Sequence, residues 1–60
     1  MLDIKTVSRR CREYRESINR TQADVAEDTG YSVENVSKFE RGFNNNLKIY
    51  LWYAERGFNL

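Results

Sequence analysis

The chain has 60 residues, a formal net charge of +1, no proline, no histidine and a single cysteine, Cys11. A chain of this length buries only about 60% of the surface that its unfolded form exposes, so one small domain spanning 1–60, opened by Met1, and a modest stability are expected. The composition excludes an intrachain disulfide and argues against a zinc site or a histidine general base. It also offers no apolar run long enough for a transmembrane helix and no signal-peptide core, so the expected location is cytoplasmic. No glycine-rich phosphate loop and no credible pair of carboxylates is present, and the chain is short for a cleft. An enzyme is therefore not expected, nor a cofactor, a metal or a small-molecule ligand.

The charge is unevenly spread: residues 1–20 sum to +3, residues 21–40 to −4 and residues 41–60 to +2. This argues against strong non-specific binding to a polyanion, but leaves room for a local basic surface.

A first helix is expected from about Lys5 to Ser17. Val7, Cys11, Tyr14 and Ile18 recur at helical spacing and form one apolar face, with Arg9, Arg10, Arg12 and Glu13 off it. Cys11 reads as a small core residue rather than a redox thiol. Asn19 can adopt the left-handed conformation that ends a helix.

Thr21 caps a second helix with Asp24 three residues on, which also suits the helix dipole. Val25, Ala26 and Thr29 face inward, and Gly30 supplies a turn with positive φ. Tyr31 is expected to half-bury its ring over that turn.

Ser32 caps a third helix that ends at Gly42. Val36 and Phe39 point inward; Glu34, Ser37, Lys38 and Arg41 cluster on the opposite side, with Val33 and Asn35 at its borders. Such a polar face, about three turns long, matches the width of a DNA major groove. Glu40 breaks the pattern, lying about 40° from Val36 on the inward side, and Arg15 does the same beside Cys11. Two opposite charges on apolar faces suggest a partly buried ion pair; the alternative is that each reaches solvent along its own stem.

Phe43 to Asn46 form an asparagine-rich loop. A fourth helix is expected from about Leu47 to Arg56, stopped by Gly57. Leu47, Tyr50, Leu51 and Ala54, with Phe58, are expected to face the core. Ile49, Trp52 and Tyr53 lie on the other side, and such an apolar face wants a partner. A second copy of the chain would suit it as an isologous dimer contact. The alternatives are that Met1, Leu2 and Ile4, or Phe58 and Leu60, fold over it.

Thr21-Gln22, Val25-Ala26, Gly30, Ser32, Val36-Ser37 and Phe39-Glu40-Arg41-Gly42 together resemble the phage repressor and Cro-type helix-turn-helix family. The resemblance covers about Val7 to Gly42, with its core at residues 21–42, and weakens toward Ala54. It implies an all-α, lambda-repressor-like bundle of four or five short helices that binds double-stranded operator DNA, usually as a homodimer, in a bacterial or phage-infected cell. By the same resemblance Gln22 touches a phosphate and braces the recognition helix, and Ser32 caps that helix and donates to phosphate. Val33, Glu34 and Lys38, with Ser37 beside them, match base-reading positions, and Arg15 and Glu40 match a buried pair. Arg41 and Asn44 to Asn46 match a segment that clamps the DNA backbone. The chain departs from the family at Arg20, where an apolar residue is usual, in its loop, which lacks the usual basic residues and proline, and in stopping after one further helix.

On DNA, Lys38 can donate to guanine, Glu34 can accept from cytosine N4 and Val33 can pack on a thymine methyl. Asn35 can reach an adenine or a phosphate. The plainer readings are a solvated Lys38, a Glu34 that only complements the helix dipole, and an asparagine loop that is a turn plus a cap at Asn46. Arg41, Asn44 and Asn45, and more weakly Lys48 and Arg10, are the candidates for backbone contact. The expected function is a sequence-specific transcriptional regulator, a repressor rather than an activator. The alternative is a protein-interaction module, an antitoxin or adaptor, that uses the Trp52 face.

Overall fold

Asp3 starts the first helix by accepting a hydrogen bond from the Thr6 amide at 2.8 Å. In the computed structural model, which describes residues 3–59, α1 runs Ile4–Ser17, α2 Gln22–Thr29, α3 Val33–Glu40 and α4 Leu47–Glu55. Helices are the only regular elements among the described residues, and the chain folds as an all-α bundle.

Local chemistry explains each boundary. Asn19 takes φ 60°, and the Arg20 amide reaches back to the Arg15 carbonyl at 3.1 Å, closing α1 in a Schellman turn. Thr21 and Asp24 form a reciprocal capping box: the Thr21 amide donates to Asp24 at 2.8 Å and the Asp24 amide to the Thr21 hydroxyl at 3.1 Å, which satisfies two otherwise orphaned donors. Gly30, at φ 82°, ends α2. Ser32 accepts from the Asn35 amide to start α3. The helix closes through Gly42 at φ 83°, with the Phe43 amide on the Lys38 carbonyl at 2.9 Å. Asn46 caps α4 by accepting from the Ile49 amide.

α2 packs on α3, and both α1 and α4 lie against this pair and against each other. The core is Cys11, Val25, Ala26, Val36, Phe39, Ile49, Trp52 and Tyr53, with Val7, Ile18, Tyr31, Tyr50 and Phe58 around it. Ala26, buried in this core, is the small residue of α2, and a short side chain lets packed helices approach closely.

The orientation of α4 corrects the sequence expectation. Ile49, Trp52 and Tyr53, assigned to a dimer interface, are core residues, 0%, 3% and 0% exposed. Leu47 and Leu51, assigned to the core, are 67% and 45% exposed. The two faces of α4 are almost equally apolar, and polar partners decide between them. Trp52 Nε1 donates to Asp28 at 2.8 Å and the Tyr53 hydroxyl donates to Glu40; both bonds are available only on the inward face. Phe58 does turn back, but onto Tyr14 and Tyr50, with ring centroids at 5.7 and 6.2 Å, rather than over Trp52. Ile4 is 42% exposed and does not cover Trp52. Met1, Leu2 and Leu60 lie outside the described residues.

Candidate nucleic-acid interface

Glu40, the last residue of α3, is the fixed point of the site. Its side chain is 1% exposed and that of Arg15 is 9% exposed, with Arg15 Nε 2.7 Å from Glu40 Oε2. Arg15 Nη2 adds a second bond to Oε1 at 3.1 Å, making the fork-to-carboxylate geometry that suits guanidinium. Gln22 Nε2 also donates to Oε1, at 3.1 Å, and Tyr53 donates to Oε2. The remaining Arg15 nitrogen donates to the Arg20 carbonyl at 2.8 Å. Burial opposes the charge on Glu40, but the hydrogen bonds from Arg15, Tyr53 and Gln22 outweigh it and hold its carboxyl below the usual range. The Glu40 hydrogen bond in turn raises Arg15, against the effect of burial. α3 is thus tied at its C-terminal end to α1, α2 and α4.

Sequence reasoning found Arg15 and Glu40 but missed Tyr53 as their partner. The available signal was stoichiometric: a buried carboxylate has about four acceptor sites, and the Arg15 fork fills only part of them.

The outward side of α3 carries no such ties. Val33, Glu34 and Lys38 are exposed, while Asn35 and Ser37 are half-buried at its edges. Ser32 is exposed, and its oxygen already caps the helix, which leaves its hydrogen free to donate outward. Arg41 continues this side, with Nε 3.4 Å from the Ser37 carbonyl and its guanidinium 5.1 Å above the Phe43 ring.

The loop residues divide. Asn44 accepts from the Asn46 amide at 3.2 Å, so its oxygen shapes the turn and its amide hydrogens remain for a ligand. Asn45 is exposed. Lys48 sits with Nζ 5.8 Å from the centre of the Tyr31 ring, beside the α2–α3 turn. Arg20, which departs from the usual apolar residue, lies 4.0 Å from Asp28.

Two helices joined through a left-handed glycine, the second held by buried polar bonds on one side and open on the other, define a helix-turn-helix domain. The family model described as Helix-turn-helix matches residues 12–49. The chain belongs to this family, of the Cro and phage-repressor type, whose members are DNA-binding transcription regulators. No curated protein and no solved structure matches the chain.

Proposed function

We propose that the protein is a sequence-specific repressor that binds a palindromic operator as a homodimer, with α3 in the major groove. The observation that carries this reading is the contrast between the two sides of α3: one is anchored through Glu40, the other presents Val33, Glu34 and Lys38 to solvent. A reading helix needs both, since base contacts specify only when their register is fixed. Lys38 is assigned to guanine, Glu34 to cytosine N4, Val33 to a thymine methyl and Ser37 to support beside them. Gln22, Ser32, Arg41, Asn44, Asn45 and Lys48 are assigned to the DNA backbone. The assignment carries no catalytic step, and the bacterial or phage-infected cytoplasm is its setting. An adaptor acting through Trp52 is not favoured, because that side chain is inside the domain.

Selection from a random duplex library at near-physiological salt tests the reading, with wild type beside Lys38→Ala. A palindromic motif should be enriched, and the variant should lose about 1–3 kcal/mol and relax its preference at one base position. Arg41→Ala should instead weaken binding to all sequences alike and lower the salt dependence by about one ion. Absence of an enriched motif would overturn the proposal.

A further inference from the structure

Among the described residues, Phe43 is the exposed aromatic side chain that the interior does not claim: it is 66% exposed. The Schellman closure of α3 fixes its backbone. A groove of about 240 Å³ runs between the first turn of α1 and the start of α4, walled by Ile4, Val7, Phe39, Leu47 and Tyr50 and edged by Asp3 and Asn45. Ile4 and Leu47 are themselves largely exposed, so the groove presents apolar walls to water.

We propose that this groove receives Phe43 of a second copy of the chain, and that the exchange is reciprocal. The size fits, since a cavity of about 150 Å³ already holds a benzene molecule. The charges fit as well. Phe43 carries the Arg41 guanidinium over its ring, and the Lys5 stem lies against Gly42 next to it; the groove carries the Asp3 carboxylate. Phe43 stands between Gly42, which lies against Lys5, and Asn45, which lines the groove, so knob and hole are near neighbours, as an isologous two-fold contact requires. Two inserted phenyl groups and the walls they cover bury at most roughly 600–1,000 Å², below the ~1,200 Å² of a stable interface. The dimer is therefore weak in free solution and is completed when two half-sites on one duplex hold the copies together. This inference supplies the second copy that the proposed function needs, and its DNA-bound form rests on that reading.

The test has two arms. In the first, amide NMR spectra of the free chain are recorded from about 1 mM to about 20 µM. Concentration-dependent shifts should cluster at Ile4, Phe43, Leu47 and Tyr50, vanish in Phe43→Ala and shrink in Asp3→Asn, a change that keeps an N-cap acceptor but removes the charge. A flat series, or shifts that survive Phe43→Ala, overturns the inference. In the second arm, binding is compared on the palindrome selected by wild type and on a duplex with one half-site. Phe43→Ala should keep half-site affinity within about twofold and lose about tenfold on the palindrome. Equal losses on both would make Phe43 a DNA contact, and the inference would fail while the proposed function stood. If wild type selects no motif, the proposed function fails, and the dilution series still decides the interface.

Discussion

Glu40 takes its hydrogen bonds from Arg15, Gln22 and Tyr53, so protein rather than water solvates its charge. Removing a donor strands a buried carboxylate, and the loss scales with what the donor carried. Arg15→Ala removes the whole fork, and breaking a buried pair from one side costs about 3–5 kcal/mol. That is comparable to the entire stability expected of 60 residues at about 0.05–0.15 kcal/mol per residue. Tyr53→Phe removes one neutral donor and keeps the ring stacked on Phe39 at 5.8 Å, so a loss of about 1–3 kcal/mol is expected. Urea unfolding followed by circular dichroism should rank Arg15→Ala well below Tyr53→Phe; the reverse order would mean that the fork is not what holds Glu40.

At the level of the elements, the two turns that flank α3 separate backbone strain from crowding. Gly30 and Gly42 both hold left-handed φ, but a Cβ at Gly30 would meet nothing within 4 Å, whereas one at Gly42 would lie 2.8 Å from Lys5 Cγ and 3.2 Å from Lys5 Cα. Gly30→Ala should cost the conformational penalty of about 1–2 kcal/mol. Gly42→Ala should cost more, because the start of α1 must also shift, and thermal melting of the two variants checks the difference. These turns were legible in the sequence, as were the caps at Thr21 and Ser32, because each rests on one residue type with one local job; the cap at Asn46 was one of two readings of the asparagine loop. The faces of α1, α2 and α3 were legible because each has a single apolar arc. α4 has two, and the choice depended on Asp28 and Glu40, donor-seeking groups 24 and 13 residues away from the Trp52 and Tyr53 that satisfy them. Periodicity within one helix carries no information about such partners. The anchored side of the site was therefore half visible, as Arg15 and Glu40 without Tyr53. The open side of α3 was legible because polar residues stand opposite Val36 and Phe39.

For the whole molecule, the carboxylates set the acid limit. Glu40 is held below its ordinary value of 4.5. Asp24 and Asp3 are held below 3.8, chiefly by hydrogen bonds from the Thr21 and Thr6 amides. Each binds a proton more readily when unfolded, so the stability each contributes is present above its unfolded pKa and is lost as pH falls through its folded one. Stability should therefore begin to fall as pH drops below about 4.5 and keep falling through the lower folded value of Glu40. Melting temperatures across this range check the sign; a melting point that rises on acidification would contradict it. Glu40 also has a consequence for how the domain comes apart. It joins all four helices at one carboxylate: α1 cannot leave α3 without stranding a charge, and α2 or α4 cannot leave without taking a hydrogen-bond donor from that carboxylate, so the chain is expected to open cooperatively. Cys11 reports on that event: its thiol is 0% exposed, and burial, with the nearby charge of Glu40, pushes it up to about 12. An alkylating reagent should reach it only when α1 leaves the core, so the alkylation rate relative to that of the unfolded chain gives the opening equilibrium without denaturant.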